Sequence, residues 1–163
     1  MGQMWKTVEE ALDYAILEER SAVFTYRAFA QRAATPELRG LFEGFVADEK
    51  EHFEKLLKLR KASSVTVENG SLSALPKPQK VTLPADGLVD AAVAYRYAIR
   101  AERAAWELYW VFSQMTKEPK IRETFEFLAA EELQHKEKLE AALKAHKSPK
   151  GLFRGLIRLL RKK

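Results

Sequence analysis

The sequence predicts an all-α protein, a four-helix bundle made of two duplicated helical hairpins with a long crossover linker and a short C-terminal amphipathic helix. Three observations lead to this prediction. Apolar residues recur at three- and four-residue steps through four long segments. The second pair of segments repeats the first, and a proline-containing stretch without helical periodicity separates the two pairs.

The first hairpin is predicted over residues 4–62 or so. Its two apolar stripes run through Leu12, Ile16, Val23, Tyr26 and Phe29, and through Leu38, Phe42, Phe45, Leu56 and Leu59. The segment Thr35-Pro36-Glu37 divides the helices, because proline is favoured at the first position of a helix.

The linker is predicted at about residues 63–87, "SSVTVENGSLSALPKPQKVTLPADG", which has turn residues and three prolines. Its 25 residues can extend about 80 Å. That is longer than a helix of about 42 Å, so the second hairpin can lie antiparallel to the first or in a partner subunit. The second hairpin is predicted at about 88–146, with helices from about Leu88 to Met115 and from about Pro119 to Ala145. One domain therefore spans residues 1–146.

The two hairpins are related by an internal duplication. A shift of 83 positions aligns residues 14–59 with 97–142 without a gap, and 19 of the 46 pairs are identical. The repeat matters for function because it preserves polar residues within the apolar stripes. These pairs include Glu19/Glu102, Tyr26/Tyr109, Glu49/Glu132 and His52/His135.

Composition excludes several classes of function. The 163-residue chain has no cysteine, which excludes disulfides, thiol catalysis and a built-in rubredoxin-type iron centre. Its net charge of +5 comes from residues 144–163, which hold eight Lys and Arg and no acid, whereas residues 1–143 sum to −3. A mildly acidic body argues against a nucleic-acid groove. Without a long apolar run or a signal-peptide pattern, a cytoplasmic protein is expected.

Residues 147–163 form a separate basic tail in this prediction. Apolar residues line one side of a short helix in "SPKGLFRGLIRLLRKK", and arginines line the other. Three uses compete: a fifth helix packed on the bundle, a peripheral membrane anchor, or a docking peptide for another protein. Because the tail lacks any acid, we favour a separable element that binds an anionic membrane or a protein partner.

Six polar residues are predicted to point into the bundle. Glu49 and His52 follow the same stripe as Phe45 and Leu56, whereas Asp48 falls on the polar side. The repeat places Glu132 and His135 in the same way, with Glu131 displaced toward the polar side. The first helix of each hairpin adds one inward glutamate, Glu19 or Glu102.

Four buried carboxylates require cations, because burying even one unpaired carboxylate costs several kcal/mol. Two divalent metals would balance the four glutamates with both histidines neutral. Such a set, one Glu from each of two helices and Glu-x-x-His from each of the other two, builds di-iron and di-manganese sites. Mixed carboxylate and imidazole ligands suit iron or manganese. The alternative interpretation is six solvent-facing residues that share an offset by chance.

These residues carry a family resemblance. "EERSAVFTY" and "AERAAWELY" resemble the Glu-x-x-Ala-x-x-x-Tyr signature of rubrerythrin and its ferritin-like relatives, and "EKEH" and "ELQH" resemble their paired Glu-x-x-His motifs. The resemblance covers about residues 8–145 and implies a ferritin-like bundle that binds two Fe ions, or Mn. It also implies that Glu19 and Glu102 are terminal ligands, that Glu49 and Glu132 bridge the metals, and that His52 and His135 each complete one metal.

The resemblance further implies that Tyr26 and Tyr109 hydrogen-bond ligand carboxylates across the bundle and take part in the chemistry from there. The alternative is that both are ordinary core aromatics.

Two departures from the family pattern stand out. Rubrerythrins carry an extra glutamate three positions after the third-helix ligand, where this chain has Ala105. The chain also lacks the family's rubredoxin domain, so it resembles the erythrin type and is expected to need an external electron donor.

The expected function is redox chemistry with hydrogen peroxide or dioxygen, as a peroxidase or ferroxidase in oxidative stress or iron handling. Two alternatives remain. One is a membrane-associated di-iron hydroxylase, since quinone hydroxylases resemble the same ligand pattern. The other is a non-enzymatic iron-binding or adaptor protein. A homodimer is the expected assembly.

Overall fold

The computed structural model describes residues 7–62 and 90–147, and the predicted linker and the tail beyond Lys147 lie outside this range. Four α-helices make up the described part: α1 (Val8–Gln31), α2 (Pro36–Ala62), α3 (Ala91–Met115) and α4 (Pro119–Lys147). The predicted all-α bundle is confirmed. The fourth helix extends two residues past its predicted end at Ala145. None of the helices in the described part is long and apolar enough to cross a membrane.

Local sequence explains where the helices begin. The Thr7 hydroxyl accepts a hydrogen bond from the Glu10 amide at 3.2 Å, and the Asp90 carboxylate accepts one from the Val93 amide at 2.9 Å. These caps satisfy amides that the first turn leaves without partners. Thr35 caps α2 in the same way, through the Leu38 amide at 3.1 Å, and Pro36 then occupies the first helical position.

Each hairpin packs tightly on itself, α1 on α2 and α3 on α4. The two hairpins then meet side by side, with α1 next to α3 and α2 next to α4. Arg60 near the end of α2 pairs with Asp13 near the start of α1, with Nε and Oδ1 2.8 Å apart. This largely buried pair holds the open end of the first hairpin together.

The duplication is visible in the packing of the core. The Tyr26 ring stacks on Phe42 with centroids 5.8 Å apart, and the repeat-related Tyr109 ring stacks on Phe125 at 6.0 Å. One buried apolar cluster surrounds each tyrosine. On α2, Phe45 belongs to the cluster around Tyr26 and Leu56 to the cluster around Tyr109. The polar residues Glu49 and His52 lie between these two positions, so a polar layer separates the two apolar halves of the core.

Candidate metal centre

The structure brings all six predicted ligand side chains together in this polar layer. α2 contributes Glu49 and His52, α4 contributes Glu132 and His135, and α1 and α3 contribute Glu19 and Glu102. Each of the six is at most 3% exposed. The helical spacing that placed them on apolar stripes explains this burial. The alternative of six solvent-facing residues does not agree with the structure.

The six residues form two overlapping groups of four, each of which could hold one metal ion. One group consists of Glu19, Glu49, His52 and Glu132, and the other of Glu49, Glu102, Glu132 and His135. Within each group, one ligand atom from every residue lies within 4.8 Å of the others. Glu49 and Glu132 belong to both groups, which is the position that a bridging carboxylate requires.

Both imidazoles face the carboxylates through Nδ1. His52 Nδ1 lies 3.2 Å from Glu49 Oε2, 3.0 Å from Glu132 Oε1 and 3.8 Å from Glu19 Oε2. His135 Nδ1 lies 3.3 Å from Glu132 Oε2, 3.6 Å from Glu49 Oε1 and 3.7 Å from Glu102 Oε2. The two half-sites therefore repeat each other, and each histidine serves one of them.

The donor set fits metal ions because several of its atoms have no other use. Glu49 Oε1, both carboxylate oxygens of Glu132 and His135 Nδ1 are buried without a hydrogen-bond partner. Buried polar atoms are rarely left unpaired in folded proteins. Oxygen and imidazole donors that converge in this way are suited to iron or manganese. The chain thus carries a carboxylate–histidine cluster of the di-metal type.

Two tyrosines donate hydrogen bonds across the bundle to the outer glutamates. The Tyr26 hydroxyl on α1 donates to Glu102 Oε1 on α3, and the Tyr109 hydroxyl on α3 donates to Glu19 Oε1 on α1. Burial, and then the charge of the facing glutamate, raises the pKa of both tyrosines well above the usual value. Each hydroxyl therefore keeps its proton and holds one glutamate in place.

Sequence reasoning missed a second pair of acids. The Asp48 carboxylate lies 3.3 Å from His135 Nε2, and the Glu131 carboxylate lies 3.0 Å from His52 Nε2. Each acid reaches the histidine of the other hairpin, so that histidine Nδ1 stays turned toward the glutamates. The helical stripe placed both acids on the polar side, and their side chains are indeed 47% and 36% exposed. The available signal was an acid before the inward glutamate in both repeats.

Without metal, the cluster holds protons instead. Burial and then the charge of Glu49 raise the pKa of both Glu19 and Glu132. Burial also opposes the ionisation of Glu49, but the neighbouring His135 and His52 imidazoles outweigh it and lower the pKa of Glu49 to about 2. Burial likewise disfavours each imidazolium. The neighbouring glutamates nevertheless raise the pKa of His52 to about 9 and that of His135 to about 11.

These pKa values predict how the stability of the metal-free protein depends on pH. A histidine pKa that folding raises from 6.5 contributes stability that is complete below pH 6.5 and is lost as pH rises through the folded pKa. The melting temperature of chelator-treated protein is therefore expected to fall between pH 6.5 and 9.5. The fall is expected to be shallower for the His52→Gln/His135→Gln variant. A wild-type melting temperature that stays level or rises across this range would contradict the prediction.

Comparison with known proteins agrees with a di-metal carboxylate cluster in a ferritin-like bundle. The sequence profile of the rubrerythrin family matches residues 10–89 and 95–155. Among curated proteins, none matches the sequence significantly. A hypothetical protein from Pyrococcus furiosus has a similar structure, with a TM-score of 0.71 and 25% identity over 85% of this chain and 89% of that one.

Two further solved structures share the fold. One is a ferritin-like, diiron-carboxylate protein from Bacillus anthracis, with a TM-score of 0.64 and 21% identity over 88% of this chain and 99% of that one. The other is KatB, a manganese catalase from Anabaena, with a TM-score of 0.68 and 16% identity over 88% of this chain and 75% of that one. Since the family profile covers most of the sequence and the fold is ferritin-like, the chain belongs to the rubrerythrin family.

Proposed function

We propose that this protein is a non-haem di-iron protein that reacts with hydrogen peroxide or dioxygen, as a peroxidase or ferroxidase. The observation that carries the proposal is the closed set of four glutamates and two histidines in two overlapping groups. In this proposal Glu19 and His52 hold one ion, Glu102 and His135 hold the other, and Glu49 and Glu132 join the two. When bound, the metal pair would supply the electrons that reduce the oxidant.

The protein's own residues have three roles in this chemistry. The apolar clusters on either side of the polar layer leave each of the six ligands at most 3% exposed, and this burial strengthens their electrostatic interactions. Tyr26 and Tyr109 hold the outer glutamates and keep a proton within reach of them. Asp48 and Glu131 fix the orientation of the imidazoles.

A small polar depression gives the histidine side of the cluster access to solvent. It lies between α2 and α4, has a volume of about 90 Å³ and is lined by residues that include Asp48, Glu131, Gln134 and Lys138. Both histidines also contribute to it. The depression has room for only a few waters, because one molecule takes up about 30 Å³ in liquid water. We propose it as the route by which protons displaced by the metals leave the cluster.

The test is oxidation of the iron-loaded protein. Protein loaded anaerobically with two Fe²⁺ per chain is mixed with hydrogen peroxide or with dioxygen, and near-ultraviolet absorbance is followed by stopped flow. We expect one peroxide to be consumed for every two Fe²⁺ oxidised, because hydrogen peroxide takes up two electrons and two protons to give two waters. Oxidation no faster than that of free Fe²⁺ under the same conditions would refute the proposal.

Manganese requires a parallel measurement, since one protein of similar fold is a manganese catalase. Protein loaded with Mn²⁺ is mixed with hydrogen peroxide in an oxygen-electrode cell. The iron proposal predicts little oxygen release from the manganese form. Sustained oxygen release by the manganese form, together with slow oxidation of the iron form, would refute the iron proposal and indicate a manganese catalase instead.

A further inference from the structure

A large groove opens between α1 and α3, on the side of the bundle away from the depression between α2 and α4. Its volume is about 660 Å³, and the carboxylates of Glu19, Glu49, Glu102 and Glu132 line its inner end. Hydrogen peroxide and dioxygen need only a small part of this space, because one water occupies about 30 Å³. Grooves of about 300–1,000 Å³ are the size that proteins use for organic ligands.

The walls of the groove break the symmetry of the repeat, although the six candidate ligands keep it. At three pairs of equivalent positions the α1 wall carries a polar residue and the α3 wall an apolar one, namely Glu18/Ala101, Ser21/Ala104 and Thr25/Leu108. Ala105, at the position where rubrerythrins carry their extra glutamate, also lines the groove and leaves space beside the glutamates. A small symmetric oxidant has no need of unlike walls, whereas an organic molecule with a polar and an apolar side would fit them.

The charges at the outer part of the groove also differ between the walls. Glu18 on α1 is hydrogen-bonded with Tyr14. Arg100 on α3 is exposed and lines the groove, whereas the equivalent position on α1 is Leu17. Within residues 7–62 and 90–147, no ion pair engages the Arg100 guanidinium. This guanidinium is therefore available to an acidic group of a ligand.

We propose that this groove binds an amphipathic organic anion, with its acidic group on Arg100 and its apolar body along Ala101, Ala105 and Leu108. The inner end of the bound molecule would then lie against the glutamates of the metal centre. The inference rests on the proposed function, because it makes the organic molecule a substrate of that same centre. It goes further by naming the chemical class of that substrate and the residues that select it.

The test compares two probes that share an aromatic body. 8-Anilino-1-naphthalenesulfonate is an anion, and N-phenyl-1-naphthylamine is its uncharged analogue. Binding is measured by fluorescence titration of the metal-free protein and by calorimetry of the iron-loaded protein. We expect saturable binding of one anion per chain. Arg100→Gln is expected to weaken binding of the anion about tenfold, the loss of one charge-assisted contact, and to leave binding of the neutral probe unchanged.

Matched variants separate the groove from the rest of the surface. Ala101→Leu and Ala105→Leu fill the groove and are expected to abolish binding of both probes, whereas Ala141→Leu, on the exposed face of α4, is expected to have no effect. Arg96→Gln, an exposed arginine one turn from Arg100, controls for charge. Near-ultraviolet circular dichroism checks that each variant is folded, since loosely packed proteins also bind the anionic probe.

Three results would overturn the inference. The first is probe binding that is insensitive to Ala101→Leu, Ala105→Leu and Arg100→Gln. The second is a wild-type protein that binds neither probe. The third is a dimer in light scattering that Ala101→Leu converts to monomer, since a second copy would then cover the groove. Iron content and peroxide oxidation are measured on the same samples. A wild-type protein that binds two irons and is oxidised rapidly by peroxide, but binds no probe, refutes this inference alone. A wild-type protein that binds no iron, or whose iron is not oxidised faster than free Fe²⁺, refutes the proposed function.

Discussion

Replacing Glu49 or Glu132 with alanine is expected to remove both metal ions from the protein. Each of these glutamates belongs to both groups of candidate ligands, whereas Glu19 belongs to one. Removing a shared ligand weakens the binding of both ions and leaves only three carboxylates to balance two divalent cations. Loss of a residue that only orients a ligand already costs about 10–100-fold in metal affinity, so we expect a loss of roughly 100-fold or more here.

The measurement is iron per chain by elemental analysis after reconstitution and desalting. We expect less than one iron in Glu49→Ala and in Glu132→Ala, about one in Glu19→Ala and in His52→Ala, and two in the wild type. Glu43→Ala is the matched control, because Glu43 is an exposed acid on the same helix as Glu49. Two irons retained by Glu49→Ala would refute the bridging assignment.

Replacing Glu49 and Glu132 together with methionine is expected to stabilise the metal-free protein. The change leaves one buried glutamate for each histidine, Glu19 near His52 and Glu102 near His135. It removes the two carboxylates that lie closest to Nδ1 of both imidazoles. It also replaces buried carboxylate oxygens, three of which have no hydrogen-bond partner, with an apolar side chain of similar size. Because each histidine keeps one glutamate, the two lost carboxylates are those in excess, and an uncompensated buried carboxylate is costly. We therefore expect a gain of about 1–4 kcal/mol, the range seen when buried ionic groups are replaced by well-packed apolar residues.

Thermal unfolding of chelator-treated protein measures this effect. For a chain of this length, 1 kcal/mol corresponds to about 2–4 °C in melting temperature, so a rise of several degrees is expected, together with complete loss of iron. The same exchange at the exposed pair, Glu43→Met/Glu126→Met, is expected to change stability by less than about 0.5 kcal/mol. An unchanged or lower melting temperature in the buried double variant would contradict the view that the metal-free bundle holds more buried carboxylates than its two histidines can compensate.

Much of the fold and of the candidate site could be predicted because two signals agreed. The stripe from Phe45 through Glu49 and His52 to Leu56 placed polar side chains inside, and the repeat at Glu132 and His135 made a coincidence improbable. The divider at Pro36 marked a helix start, and the structure places the start of α2 at that residue. These features depend on spacing along one helix, which the sequence contains directly.

Features that depend on how the hairpins meet could not be predicted in this way. Asp48 and Glu131 lie at the edge of their stripes, and their contacts with His135 and His52 cross from one hairpin to the other. The groove between α1 and α3 likewise depends on the distance between two helices that face each other with small residues such as Ala22 and Ala105. Periodicity reports the direction of a side chain but not the separation of two helices.

Metal stoichiometry decides whether the six buried residues hold two metal ions. The purified protein is reconstituted with Fe²⁺ without oxygen, desalted and measured by elemental analysis against protein concentration, with circular dichroism as the check on folding. We expect two ions per chain in the wild type, together with a rise in melting temperature on metal binding. A fully helical protein that holds no iron after reconstitution, and whose melting temperature does not change, would contradict it.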